Sequence, residues 1–247
     1  MNRGQVCLEV ALNGAWTRRV QPRMPITPDE IIAEAVACAE AGASVVHFHA
    51  YDAASVKQTA DIDVVSRIVE GIRSRADVIA YPTIRYISNA QAIGDDAGEK
   101  RYAHLAALAE RGQAEWLLID PGSYNLMSGR DVQQGKKGGV EINTPSAMLE
   151  LAARHRLHPG LAIYEPGFLR LGAAFAKAVP GVPAPLYRLM FSDQFTFGFK
   201  LSAQSLRAYL APLIRGEDFP PFKDGLPQYV RLKNVAVPKK LAGEFKV

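Results

Sequence analysis

The chain is short of the residues and runs that mark several protein classes. Two cysteines in 247 residues, Cys7 and Cys38, exclude a disulfide-stapled scaffold; one falls in a strand-like segment and one on a helix face, so both read as reduced, small apolar side chains. No apolar run approaches the roughly 20 residues that cross a bilayer, and the first residues lack the charged-then-apolar layout of a secretion signal. A cytoplasmic location without membrane contact is expected. Gly-x-Gly-x-x-Gly, Gly-x-x-x-x-Gly-Lys-Ser/Thr and Gly-x-Ser-x-Gly are all missing, which weakens nucleotide-binding and α/β-hydrolase readings. The formal charge is +4, but from Arg215 onward seven Lys/Arg face four Asp/Glu, so the preceding residues are close to neutral. No basic stripe is interleaved with aromatics, and nucleic acid is not an expected partner.

What the chain does have is a regular alternation of strand-like and helix-like segments. Strands are expected at 6–12, 44–50, 78–83, 116–119, 161–165 and 186–191, and helices at 27–41, 61–74, 98–111, 145–155, 167–178 and 202–214. The first helix has a capped start in Thr27-Pro28-Asp29-Glu30 and ends at Gly42. Six strand–helix units predict parallel strands joined by crossovers, an α/β fold. Polar residues gather where the strands end: Asn13, His47, His49, Thr83, Ser123, Asn125, Glu165 and Asp193. A (β/α)8 barrel places such positions around one mouth, so a TIM-type barrel over residues 1–214 explains them better than an open sheet.

Histidine is scarce too, with five in the chain, yet two of them, His47 and His49, are one residue apart in the strand-like Ser44–Asp52, SVVHFHAYD. Side chains two apart on a strand point the same way, so both rings can converge on one metal ion. The plainer reading, local space-filling and hydrogen bonding, stays open. Glu9 interrupts an apolar strand, where an unpaired carboxylate costs several kcal/mol, so it needs a metal, a cation or a hydrogen-bond donor. Asn13-Gly14 reads as a turn pair or as a pocket residue, and Ser123 and Asn125 as turn stabilisers or ligand contacts. His104, His155 and His158 are expected to be solvated.

Four segments taken together resemble the β-keto acid cleavage enzymes, also called the 3-keto-5-aminohexanoate cleavage family: LEVALNGAWT at Leu8–Thr17, PITPDEIIAEAVACAEAGASVVHFHAYD at Pro25–Asp52, IDPGSYNL at Ile119–Leu126, and INTPSAMLELAARHRLHPGLAIYEPGFL at Ile142–Leu169. The resemblance implies a zinc-dependent TIM barrel in which a β-keto acid reacts with acetyl-CoA to give acetoacetate and a new acyl-CoA. It implies zinc ligation by His47 and His49. Glu9 and Glu165 become the catalytic candidates, and Asn13, Thr83, Ser123 and Asn125 the substrate-binding ones. Arg85 is a candidate partner for a distal carboxylate, near Tyr51, Tyr86 and Tyr124. The Gly-rich loop 129–139 carries Arg130, Lys136 and Lys137 as candidate contacts for CoA phosphates.

The resemblance stops short at the C-terminus. The family's Arg-x-Gly-Leu-Glu-Asp motif is missing; residues 230–234, VRLKN, keep an Arg without either acid, and the 33 residues after Ile214 contain four prolines. The third strand ends Thr83-Ile84-Arg85 in place of the family's hydroxyl-rich sequence. These departures predict a barrel that is incomplete or atypical after its sixth unit, with 215–247 as a poorly packed tail. Open strand edges in such a fold favour a homo-oligomer. The alternative function is a catalytically impaired, truncated or frameshifted remnant with at most a weak metal site. A metal-dependent hydrolase is disfavoured, because no further His and Asp set accompanies the pair.

Overall fold

The computed structural model of the protein describes residues 7–15, 18–84, 97–125, 129–134, 140–141 and 145–214. Along the chain, β1 (Glu9–Ala11) is followed by α1 (Pro28–Glu40), β2 (Val45–Phe48), the short strands β3 (Tyr51–Asp52) and β4 (Lys57–Gln58), α2 (Ile62–Arg73) and β5 (Ile79–Pro82). Then come α3 (Ala97–Glu110), β6 (Trp116–Ile119), β7 (Tyr124–Asn125), α4 (Gly129–Gln133), β8 (Val140–Glu141), α5 (Pro145–His155), β9 (His158–Ile163), α6 (Gly167–Ala178), β10 (Leu186–Leu189) and α7 (Ala203–Ile214). The described residues divide into two compact units, one ending at Thr83 and the other beginning at Ile84.

In the first unit β1, β2 and β5 form a parallel sheet in that order. Helix α1 starts where its sequence says it should: the Thr27 hydroxyl accepts from the Glu30 N–H, and the Glu30 carboxylate accepts from the Thr27 N–H at 2.9 Å. This reciprocal pair satisfies two of the amides that every helix N-terminus leaves open. Asp61 caps α2 from one side only, its carboxylate accepting from the Asp63 and Val64 N–H groups. Helix α2 buries Val65, Ile68, Val69 and Ile72, one stripe at helical spacing. It packs closely on α1, for a Cβ on Gly71 would lie 2.4 Å from the Ile32 side chain.

In the second unit β9 lies between β6 and β10, again all parallel. Its core joins Leu117 and Ile119 of β6, Leu161 and Ile163 of β9, Leu149 of α5, Leu169 of α6 and Tyr209 of α7, all almost wholly buried. Parallel strands covered by helices bury both faces, which is why β6 and the second half of β9 are continuously apolar, whereas β10, with Arg188, is only half-buried.

The fold is therefore α/β with parallel sheets, as the alternation predicts. Three differences have local causes. Strand β9 begins at His158, three residues before the expected start, because pairing with β6 carries it through Pro159 and Gly160, residues that read as strand breakers in isolation. The ribbons β3–β4 and β7–β8 are antiparallel and two residues per strand, too short to show a period. His104 is 5% exposed, within α3 rather than solvated, and His158 opens a strand. Arg85, Tyr86, Lys136, Lys137 and the tail from Arg215 lie outside the described residues.

Candidate active site

Across the first sheet Ala11, His47 and Tyr81 are register partners. Alternation then places Glu9, His47 and Tyr81 on one face of three adjacent parallel strands, with His47 and Tyr81 one residue from the C-terminal ends of β2 and β5 and Glu9 at the start of β1. The imidazoles of His47 and His49 meet edge to face, with centroids 5.3 Å apart, and His47 lies 4.8 Å from the Tyr81 ring. Between them Phe48 points the other way and is fully buried. The i, i+2 spacing thus delivers the convergence it promises.

His49 is held from three sides. The Asn13 side chain clamps its backbone, accepting from the His49 N–H at 2.7 Å and donating to the His49 carbonyl at 2.9 Å. The same Asn13 amide donates to the Pro25 carbonyl at 3.0 Å, so both its hydrogens serve backbone groups. The His49 ring places Nδ1 2.6 Å from the Gln58 Oε1. With the Gln58 oxygen facing the ring, the bond needs the proton on Nδ1, and Nε2 then keeps the lone pair. Burial pushes the His49 imidazole below its ordinary pKa, against a smaller opposing effect of Gln58, and so favours the neutral form that binds metals.

Glu9 is half-buried, and the Tyr81 hydroxyl donates to its Oε1. Of the three partners it could have had, a hydrogen-bond donor is present. Thr83, also half-buried, donates its N–H to the Phe48 carbonyl at 2.9 Å and so ties the end of β5 to β2. The Tyr51 hydroxyl donates to the Gly14 carbonyl, closing the corner after β1. Among the described residues no group of three or more His, Cys, Asp or Glu side chains comes together to hold a metal, so His47 and His49 stand as a two-donor set.

In the second unit Glu165 follows β9, half-buried, and its Oε1 accepts from the Gly198 N–H at 3.1 Å. Gly198 has φ +57, and a Cβ there would lie 2.3 Å from the Tyr164 carbonyl oxygen. Around this corner Tyr124 stacks on Tyr164 at 4.1 Å, and Phe197 meets both rings edge-on. Ser123 is exposed and Asn125 lies on β7, while Asp193 is exposed in the turn after β10.

Three residues escape a reading of the sequence. Asp120, 5% exposed at the end of β6, is a buried carboxylate beside the Pro121-Gly122 corner; its signal was the family segment IDPGS itself. Tyr81 and Gln58 are ordinary strand residues until pairing brings them to Glu9 and His49, and no local pattern distinguishes them.

Comparisons with known proteins bear on most of the chain and on short parts of it. Two pyrophosphate–fructose 6-phosphate 1-phosphotransferases match over 50 residues each: the Methylococcus capsulatus protein at 60% identity and the Halomonas elongata protein at 54%, covering 20% of this chain and 12% of theirs. The chain thus matches only a small part of those relatives. Among solved structures, ObcA in its ternary complex with a C4-CoA adduct and oxalate superposes with a TM-score of 0.56 at 19% identity, over 81% of this chain and 50% of that one. Apo ObcA superposes with a TM-score of 0.55 at 18% identity, over 81% and 49%. The chain therefore spans about half of ObcA and shares its fold over that half. The model of the beta-keto acid cleavage enzymes matches residues 5–220, most of the chain, and on that extent of match this protein belongs to the β-keto acid cleavage enzyme family.

Proposed function

We propose that the protein cleaves a β-keto acid by acyl exchange with acetyl-CoA, at a zinc site held by His47 and His49. The keto acid R–CO–CH2–COO⁻ and acetyl-CoA give acetoacetate and R–CO–CoA, so that the acyl group R–CO passes to the thiol and the acetyl group to the carboxymethyl carbon. The observation that carries the reading is the meeting of two imidazoles at the C-terminal end of β2, the central strand of a parallel sheet, with the Nδ1 of one against the Gln58 side chain. Two neutral imidazoles fit zinc as part of an open catalytic set, whose remaining positions go to further donors and to substrate. When bound, zinc supplies a Lewis acid for the keto oxygen and for the enolate that follows deprotonation.

The chain's own residues then have distinct tasks. Asn13 fixes the backbone at His49, and Glu9 with Tyr81 forms a hydrogen-bonded acid on the same face as His47. Glu165 is the second catalytic candidate, oriented through its bond to Gly198. Thr83, Arg85, Ser123 and Asn125 are assigned to the substrate, with Arg85 suited to a distal carboxylate. ObcA binds a CoA adduct on a fold of the same kind, which supports a CoA thioester as co-substrate. We assign residues 1–214 to a TIM-barrel-like β-keto acid cleavage domain and 215–247 to an atypical tail, in a cytoplasmic homo-oligomer.

The test is metal analysis of the purified protein together with incubation of a panel of β-keto acids with acetyl-CoA, reading acetoacetate and acyl-CoA products by mass spectrometry. About one zinc per chain with turnover is expected. Zinc without turnover, or neither, would overturn the active reading. The latter result favours the impaired remnant, which the two-donor set among the described residues also supports.

A further inference from the structure

We propose that the β3–β4 hairpin is a positioning device for His49, and that Gln58 at its end favours the tautomer that leaves the lone pair on Nε2, in a ring that meets His47 edge to face. The inference rests on the reading of the pair as metal ligands, and it goes beyond that reading by naming the residue that makes His49 competent.

A neutral histidine side chain in water carries its proton mostly on Nε2, which leaves Nδ1 as the lone-pair nitrogen. The Gln58 Oε1, 2.6 Å from Nδ1, opposes that preference, because with this oxygen toward the ring the bond needs the proton on Nδ1. His49 is half-buried, and the alternative tautomer either sets two acceptors against each other or requires the Gln58 amide to turn over. Metal-bound histidines are commonly oriented in this way by an acceptor on the other nitrogen, and loss of such a partner weakens metal binding by about 10- to 100-fold.

The hairpin is built to hold Gln58 in place. Its strands pair Tyr51 with Gln58 and Asp52 with Lys57. Asp52 folds the turn: its carboxylate accepts from the Ser55 N–H at 2.7 Å and its carbonyl from the Val56 N–H at 2.9 Å. The Thr59 N–H returns to the Ala50 carbonyl at 2.9 Å, which closes the ribbon just beyond His49. Val56 is held at φ +55, a left-handed conformation that is costly for a β-branched residue. Such strain persists only where the surrounding bonds over-determine it, and here those bonds deliver Gln58 to the ring.

The experiment compares the wild type with Gln58→Leu and Gln58→Glu by two readouts, neither of which is turnover. Long-range 1H–15N spectra of the zinc-free protein report the His49 tautomer, and competitive titration with a zinc chelator reports affinity. We expect the wild type to be protonated at Nδ1, Gln58→Leu to shift toward the Nε2-protonated form and to bind zinc about 10- to 100-fold more weakly, and Gln58→Glu to restore both. A Gln58→Leu protein that folds normally yet keeps the wild-type tautomer overturns the proposal. If Gln58→Leu loses its fold, Gln58→Glu decides alone: retention of the Nδ1-protonated tautomer supports the proposal, and its loss overturns it. A wild type that shows the tautomer but takes up no zinc sustains the positioning role and defeats the metal reading instead.

Discussion

Substituting Gly198 by alanine tests the corner that holds Glu165. The residue sits at φ +57, where an L side chain costs about 1–2 kcal/mol. Its added Cβ would also stand 2.3 Å from the Tyr164 carbonyl oxygen and 2.7 Å from the Tyr209 hydroxyl. The first of these is backbone and has no flexible end to swing away, so the loop must move. Movement breaks the Gly198 N–H bond to the Glu165 carboxylate, and a bond to a charged group contributes about 1.5–3 kcal/mol. The combined loss is about 3–5 kcal/mol. For a chain of this size each kcal/mol lowers the melting temperature by about 2–4 °C, so a fall on the order of 10 °C is expected. Gly112→Ala is the control, since Gly112 has φ +67 with no atom within 4 Å of the added carbon. It should lose only the conformational cost of about 1–2 kcal/mol. Calorimetric melts of the two variants beside the wild type decide the matter. If Gly198→Ala melts within a degree or two of Gly112→Ala, the close approach of backbone to backbone is not what makes glycine necessary there.

Replacing either His47 or His49 by alanine should abolish bound zinc, and a chelator should remove turnover in a way that added zinc restores; metal analysis and product assays read both. Glu30 is held down to about 2 by hydrogen bonds from the Ile26 and Thr27 amides, and by Arg18. Because its folded pKa is depressed, the stabilisation is present above the ordinary carboxylate value near 4.3 and is lost as pH falls toward 2. Glu30→Gln should therefore melt below the wild type at neutral pH, with the gap closing in acid, whereas a constant gap would show that charge plays no part. Val56 is 44% exposed as well as left-handed. Val56→Asn, a residue that tolerates that conformation, should stabilise the protein by about 1 kcal/mol in denaturant unfolding.

Much of this protein is written locally. The capped starts of α1 and α2 need only Thr27 with Glu30 and Asp61 with the Asp63 and Val64 amides, contacts within three residues, and so they are legible in the chain alone. The direction of His47 and His49 is equally local, since alternation on a strand fixes it before any partner strand is known. The α/β class follows from the same periodicities. What the sequence could not reveal are the contacts that span long stretches of chain. Asn13 reaches His49 across 36 residues, Gly198 reaches Glu165 across 33, and Tyr81 reaches Glu9 across 72. Each depends on which strands become neighbours and in what register. A one-residue slip of β5 against β2 would turn Tyr81 away from Glu9 without altering the local pattern of either strand. The candidate ligands were therefore determined by the sequence, while the side chains that orient them were decided only when parallel pairing set the strands side by side.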